Sequence, residues 1–334
     1  RGAAAPPLTV RFPCWLVLAS TYNVNIAIYK NTILIYNPTA GALKKGDQKL
    51  RRAVQVLADR GFEVQLWPTT GPHTAISLAR EAVQKNADLI IAAGGDGTIN
   101  EIANGMVGSA VPLGILPAGT ANVLANELRL SSKMEAAAAA LPASTPRRIS
   151  VGRLNAEGRS RYFLMMAGVG FDAQIVYKLN LDLKRALGKL AYWIAGFSIA
   201  AARVTQFETQ WNGTSMQGGF ALAARVRNYG GDLEIARGAS LLERDFELVV
   251  FEGKWAITYA KYLAGVLTRS LHRLRGVTVA RTRCAGFCGL PADSRVYVQV
   301  DGEYAGRLPA QVEIVENALT LLMPPDCYSG SGGR

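Results

Sequence analysis

Apolar and polar residues alternate in two rhythms along this chain, and the change falls near residue 142. In the first part, short continuous apolar runs alternate with stretches of helical periodicity. Residues 32–36 (TILIY) form such a run and stop at Asn37-Pro38, which predicts a buried strand followed by a loop. Leu50, Val54 and Leu57 share one face of a helix expected over 47–60, capped by Asp47 and ended by Gly61. Residues 63–67 predict a second strand and 74–85 a second helix with Ala75, Leu78, Ala82 and Val83 inward. The run 88–93 predicts a third strand, 94–98 a tight loop and 99–106 a helix. A fourth strand is expected over 112–116, followed by helices over 120–128 and 136–140.

Strands that alternate with helices imply a mostly parallel sheet covered on both faces. Ligands of such sheets bind at the carboxyl ends of the strands. Beyond Pro142 short alternating runs dominate, at 162–166, 219–225, 246–251, 296–300, 311–314 and 319–323. They predict an antiparallel second domain, interrupted by helical stretches at 179–204 and 255–271.

The length of 334 residues suits one large or two medium domains, and 49% hydrophobic with 19% charged residues is a globular mixture. Residues 1–30 are expected to be an unstructured or artefactual extension rather than a targeting signal. The Gly/Ser-rich tail at 326–334 is expected to be disordered. No apolar run reaches the ~20 residues that span a bilayer. The net charge of +12 favours an anionic partner: a nucleotide, a nucleic acid or an acidic membrane surface. No nucleic-acid module accompanies the charge, so nucleic acid is set aside. Cys284 and Cys288 stand as CAGFC, without the spacing or the nearby His of a zinc site. Together with Cys14 and Cys327 they read as unrelated thiols of a reduced, cytoplasmic setting.

The informative residues lie in the expected strand-end loops. Gly94-Gly95-Asp96-Gly97-Thr98 offers glycines that let backbone N–H groups approach phosphate oxygens, followed by a helix N-terminus. A carboxylate there repels phosphate unless it holds a metal or takes a proton; magnesium shared with the phosphates meets that need, and a plain Asp-Gly turn is the alternative. Asn37-Pro38-Thr39-Ala40-Gly41, Thr69 and Gly119-Thr120-Ala121-Asn122 follow equivalent strands. GxxxxGK[ST] and the dinucleotide GxGxxG are both missing.

The set NPTAG, GGDGTINE and LPAGTANVLA resembles the diacylglycerol kinase catalytic family, which includes bacterial soluble lipid kinases and sphingosine kinases and is more distantly similar to NAD kinases. Gly168-Val169-Gly170-Phe171-Asp172, Asn228-Tyr229-Gly230-Gly231 and Val298-Gln299-Val300-Asp301-Gly302-Glu303 extend the resemblance over roughly residues 31 to 325. It implies an α/β plus β fold: an N-terminal Rossmann-like three-layer α/β domain at 31–141 that binds ATP, and a C-terminal antiparallel β-sandwich at 142–325 that helps hold a lipid and returns to the cleft.

By motif match, the nucleotide would be lined by Asn37, Pro38, Thr39, Ala40, Gly41, Thr69, Gly94, Gly95, Asp96, Gly97, Thr98, Ile99, Asn100 and Thr120. Asp96 would orient Mg2+ and the phosphates. Glu303 is the preferred general base, supported by Asp301, with Asp96 the rival. Glu101 would cap a helical turn, contact the site or stay solvated. Arg244 interrupts the acidic run Glu243–Asp245 at which some members hold a structural magnesium, so no second metal is assigned.

The implied activity is ATP- and Mg-dependent phosphorylation of a lipid hydroxyl, diacylglycerol-like or sphingoid-like. Two alternatives stand beside it: a kinase of a soluble compound, as NAD kinases are, and a nucleotide-binding regulator without catalysis, motivated by Val123, Ser150 and Arg244. The basic-then-apolar stretch 178–204, and 255–271 with Arg269, Arg273 and Arg275, read either as surfaces for anionic lipid or as ordinary core helices. The enzyme would reach its lipid as a peripheral visitor to the membrane; the oligomeric state is left open, a homodimer among the options.

Overall fold

The run TILIY becomes strand β1 (Thr32–Tyr36), and its neighbours in sequence follow the alternating rhythm. They are α1 (Gln48–Ala58), β2 (Val64–Pro68), α2 (Thr74–Gln84), β3 (Leu89–Gly94), α3 (Asp96–Met106), β4 (Pro112–Pro117), α4 (Val123–Glu127) and α5 (Met134–Ala140). The computed structural model describes residues 29–41, 43, 48–170 and 203–327. Asp47, the 179–204 stretch up to residue 202, Phe171-Asp172, Cys14 and both chain ends therefore lie outside the described residues.

Strands β2, β1, β3 and β4 pair in that order, all parallel. Alternate side chains of the central strands reach opposite cores. Ile33, Ile35, Ile90, Ala92, Leu113 and Ile115 join Ala75, Ala79, Ile99, Ile102 and Met106 from α2 and α3. Leu34, Leu89, Ile91, Ala93 and Leu116 instead meet Leu50, Ala53 and Leu57 of α1 and Met134, Ala137 and Ala138 of α5. This gives helix, sheet and helix layers, and each large aliphatic buried here contributes ~2 kcal/mol of transfer free energy.

The second part adds β5 (Thr145–Ala156), β6 (Arg159–Phe163), β7 (Met166–Gly170), β8 (Gln206–Trp211), β9 (Thr214–Gly218), β10 (Phe220–Ala224), the short pair β11 (Asn228–Tyr229) and β12 (Leu233–Glu234), and β13 (Phe246–Phe251). After helix α6 (Ala256–Leu267) come β14 (Val277–Thr282), β15 (Cys284–Leu290), β16 (Tyr297–Val300), β17 (Glu303–Arg307) and β18 (Ala310–Met323). A six-stranded sheet runs β14-β13-β10-β7-β16-β17, antiparallel throughout. Its Val169, Ala221, Phe246, Leu248, Val250 and Val298 pack on Leu154, Phe163, Phe207, Phe287 and Val312 of the other sheet, the buried layer of a β-sandwich.

The two parts share a sheet. Strand β18 pairs antiparallel with β15 through its first half and with β5 along both halves, and its second half also runs parallel to β4 through Thr320 and Leu321. It includes both runs expected at 311–314 and 319–323, with an irregularity between Val315 and Leu319 where Asn317 has φ +48.

Three local expectations are corrected. Strand β3 runs to Gly94 and helix α3 starts at Asp96, so the expected loop at 94–98 shrinks to Gly95, whose extended backbone is the cap. Helix α4 starts at Val123 and not at 120, because Asn122 is left-handed at φ 47. Helix α6 ends at Leu267, where left-handed Arg269 precedes a 3-10 turn at Leu271–Arg273. Strands β5, β8, β9, β14 and β15 have no counterpart among the expected runs, because polar residues or glycine interrupt their apolar positions; β14, for example, reads VTVART.

Candidate functional site

Two glycine turns meet at the carboxyl end of the parallel sheet. A Cβ added to Gly119 would lie 2.5 Å from the Gly95 Cα, and one added to Gly95 would lie 3.2 Å from the Gly119 Cα. This approach excludes a side chain at Gly119, and one at Gly95 would press the facing backbone back by a few tenths of an ångström. A Cβ on Gly94 would come 2.6 Å from Thr98 Cβ, which keeps the chain close over the first turn of α3. The turn after β4 is locked by Asn122, whose Oδ1 accepts from Gly119 N–H (2.8 Å) and whose Nδ2 donates to the Gly119 carbonyl (3.0 Å).

The turn after β1 is tied to the same place. Asn37 Oδ1 accepts from the Thr39 N–H (2.9 Å) and hydroxyl (2.8 Å), and Asn37 Nδ2 donates to Thr98 Oγ1 at 3.5 Å. Gly41 stands beside Thr120: a Cβ there would be 4.0 Å from Thr120 Oγ1. Thr69 N–H donates to the Tyr36 carbonyl (2.9 Å), which places Thr69 at the same sheet edge. Pro38 and Thr39 are exposed in this turn, and Ala40 is buried against Leu43 and Leu50. Ile99 also turns into the core, leaving its backbone N–H, bonded to the Gly95 carbonyl (3.1 Å), as its share of the turn.

Asp96 bridges the two glycine turns. Its Oδ1 accepts from Leu124 N–H in the first turn of α4 (3.3 Å). Burial pushes its carboxyl above the ordinary range, opposed by the α4 backbone N–H groups that face it.

The opposite wall comes from the turn between β16 and β17. Val300 and Glu303 pair across Asp301 (φ +48) and Gly302 (φ +82), a two-residue turn in which both central residues are left-handed. Asp301 is buried. Its Oδ1 accepts from Met165 N–H (3.0 Å) and Met166 N–H (2.9 Å), and its Oδ2 from Leu164 N–H (2.9 Å) and Asn100 Nδ2 (2.7 Å). Four donors fill a carboxylate's acceptor sites. Burial still pushes its pKa up to about 6.

Glu303 extends from this turn to the first turn of α3. A Cβ on Gly97 would lie 2.6 Å from Glu303 Oε1. Its Oε2 is paired with Arg161 of β6, and Arg161 Nη2 also donates to Asn100 Oδ1 (3.2 Å). Asn104 completes the seam, bonded through Nδ2 to the Tyr162 carbonyl (3.0 Å) and through Oδ1 to the Tyr162 N–H (3.0 Å). The structure thus brings Asp96, Gly97, Asn100, Asp301 and Glu303 together.

Arg161 and Asn104 have no counterpart among the expected site residues. Arg161 lies in an ordinary alternating strand, and nothing in its local sequence marks it. Glu101 settles as a helix cap, accepting from the His73 N–H (2.9 Å) and the Ala75 N–H (3.3 Å) at the start of α2.

Among the described residues no cluster of three His, Cys, Asp or Glu side chains could hold a metal by itself. The Glu243–Asp245 segment is held by arginines: Asp245 pairs with Arg281, and buried Arg225 donates to the carbonyls of Glu243 (2.8 Å) and Asp245. Arg225 also reaches the carbonyls of Ser150 (3.0 Å) and Leu241 (2.8 Å).

Comparison with known proteins places this geometry. Residues 31–154 match the diacylglycerol kinase catalytic domain, and residues 165–323 match the YegS C-terminal NAD kinase beta sandwich-like domain. The chain is 30% identical over 305 residues to a diacylglycerol kinase of Bacillus subtilis, covering 89% of this chain and 97% of that one. It is 27% identical over 302 residues to a diacylglycerol kinase of Staphylococcus aureus, covering 89% and 93%. The fold is shared with the crystal structure of a diacylglycerol kinase from Bacillus anthracis, at a TM-score of 0.72 and 21% identity, covering 89% of this chain and 98% of that one.

Proposed function

The chain belongs to the diacylglycerol kinase catalytic-domain family, and we propose on that footing that it transfers the γ-phosphate of ATP to a lipid hydroxyl, with diacylglycerol the first candidate. The observation that carries this reading is the contact of Glu303 with the first turn of the helix that follows Gly94-Gly95. It joins a phosphate-binding helix start to a carboxylate that can take a proton.

On this reading residues 31–141 hold the nucleotide and 142–325 the lipid. The phosphates rest on Gly94, Gly95 and the N–H groups that open α3, where the backbone dipole favours anions. Asn37, Thr39, Gly41, Thr69 and Thr120 line the same sheet edge. Asp96 is the carboxylate that would hold magnesium carried in by the nucleotide, with phosphate oxygens and water as its other oxygen ligands. Bound there, magnesium would neutralise charge on the phosphates.

Glu303 is the general base. Asp301 has four hydrogen bonds from the protein and acts by fixing the turn that presents Glu303. The substrate hydroxyl gives its proton to Glu303 as its oxygen bonds to the γ-phosphorus. The bond from that phosphorus to the β–γ bridging oxygen breaks, and ADP leaves. Arg161 holds Glu303 in place and offers positive charge beside the phosphate being transferred.

The lipid is met peripherally, from the cytoplasmic side. Among the described residues no helix is long and apolar enough to cross a membrane. The test is incubation with γ-labelled ATP, magnesium and a panel of diacylglycerol, sphingoid base, long-chain alcohol and NAD. Label in a lipid supports the reading; label in NAD alone turns it to a soluble-substrate kinase.

A further inference from the structure

Helix α6 is apolar on both faces. Its inner face, with Ala256, Tyr259, Tyr262 and Val266, is buried in the core cluster that also takes Ile99 of α3 and Leu124 of α4. Its outer face carries Ile257, Lys261, Ala264 and Leu267. Ile257 is 59% exposed and Leu267 60%, and Trp255, just before the helix, is 45% exposed. A surface helix of a globular protein usually gives that face to charged residues. Here Lys261 is the one charge in the helix. Val279 of edge strand β14, paired with core residue Val249, adds an exposed apolar side chain on this face of the sheet.

The charge around this face has one sign. From residue 253 to 292 the sequence has no Asp or Glu but contains Lys254, Lys261, Arg269, Arg273, Arg275, Arg281 and Arg283. Arg281 pairs with Asp245 and Arg283 with Glu316. Lys254, Arg269, Arg273 and Arg275 are exposed, with no acidic partner among the described residues.

We infer that α6 and its basic rim seat the protein on an anionic bilayer. A tryptophan-led apolar face ringed by cations complements a layer of anionic headgroups over acyl chains. The inference depends on the lipid-kinase reading only for the reason a bilayer is met.

The experiment is co-sedimentation of the full chain, without ATP, with vesicles of phosphatidylcholine alone or mixed with phosphatidylglycerol. Binding is expected on the anionic vesicles and should weaken as salt is added. Two paired variants, Ile257→Glu with Leu267→Glu, and Arg273→Glu with Arg275→Glu, should each lower that binding at least about tenfold. Their thermal unfolding and their activity on lipid dispersed in detergent micelles should stay as in the parent protein. Absence of binding to anionic vesicles, or binding undiminished in both variants, overturns the inference. So does a dimer of the parent protein that the Ile257→Glu, Leu267→Glu variant dissociates, since a second copy then covers the face. A protein that phosphorylates micellar lipid but ignores vesicles refutes only the bilayer seat, whereas one that binds vesicles through α6 and transfers no phosphate refutes only the kinase reading.

Discussion

Glu303 rests on Gly97: a Cβ at Gly97 would stand 2.6 Å from Glu303 Oε1. The two residues come from different domains, and their contact closes the proposed site. Gly97→Ala should therefore displace the carboxylate while leaving the fold intact. Alanine favours a helix by up to about 1 kcal/mol over glycine, so unfolding should shift little. Turnover should drop roughly a hundredfold, more than KM for ATP rises. A thermal melt beside steady-state kinetics checks both.

Arg161 is paired with Glu303 and also bonded to Asn100. Arg161→Gln should lower kcat more than it raises KM for the lipid, with partial recovery in Arg161→Lys. A purely structural arginine would lower activity and thermal stability together, so a melt of each variant beside its steady-state kinetics separates the two roles.

Burial raises Asp301 to about 6, whereas an unfolded Asp titrates near ~3.9. The native state thus binds the extra proton between these values. The stability it lends is full below pH ~4 and is lost as the pH rises through about 6, a change on the order of 3 kcal/mol. Denaturant unfolding of the parent protein and Asp301→Asn across this range should show the difference shrinking as the pH rises. A parallel pair of curves contradicts it.

The first half of the fold is legible because parallel strands buried on both faces read as unbroken apolar runs, as in LIIAAG of β3. Half-exposed strands such as β8 (QFETQW) mix polar residues into every second place, and that pattern is easily missed. The turns at Gly94-Gly95 and Gly119 are legible because the backbones come close enough to favour glycine. Asp301 and Glu303 read locally as an Asp-Gly turn; resemblance alone singles them out. Arg161 is not legible at all, since its partner Glu303 lies 142 residues further along the chain.

Arg225 is fully buried and serves four backbone carbonyls, those of Ser150, Leu241, Glu243 and Asp245. Arg225→Met keeps the bulk but leaves those acceptors unpaired. A loss of about 3–5 kcal/mol in unfolding free energy is expected. Magnesium should not restore it, since the guanidinium is what the loop is built around. Chemical denaturation with and without the metal decides this.

The most direct test is phosphate transfer from γ-labelled ATP to diacylglycerol, with the parent protein and Glu303→Gln side by side. The account predicts labelled phospholipid from the parent protein and a rate lower by roughly 10²–10⁴ in the variant, with folding unchanged. Absence of labelled lipid from the parent protein on any member of the panel, or full activity in Glu303→Gln, would contradict it.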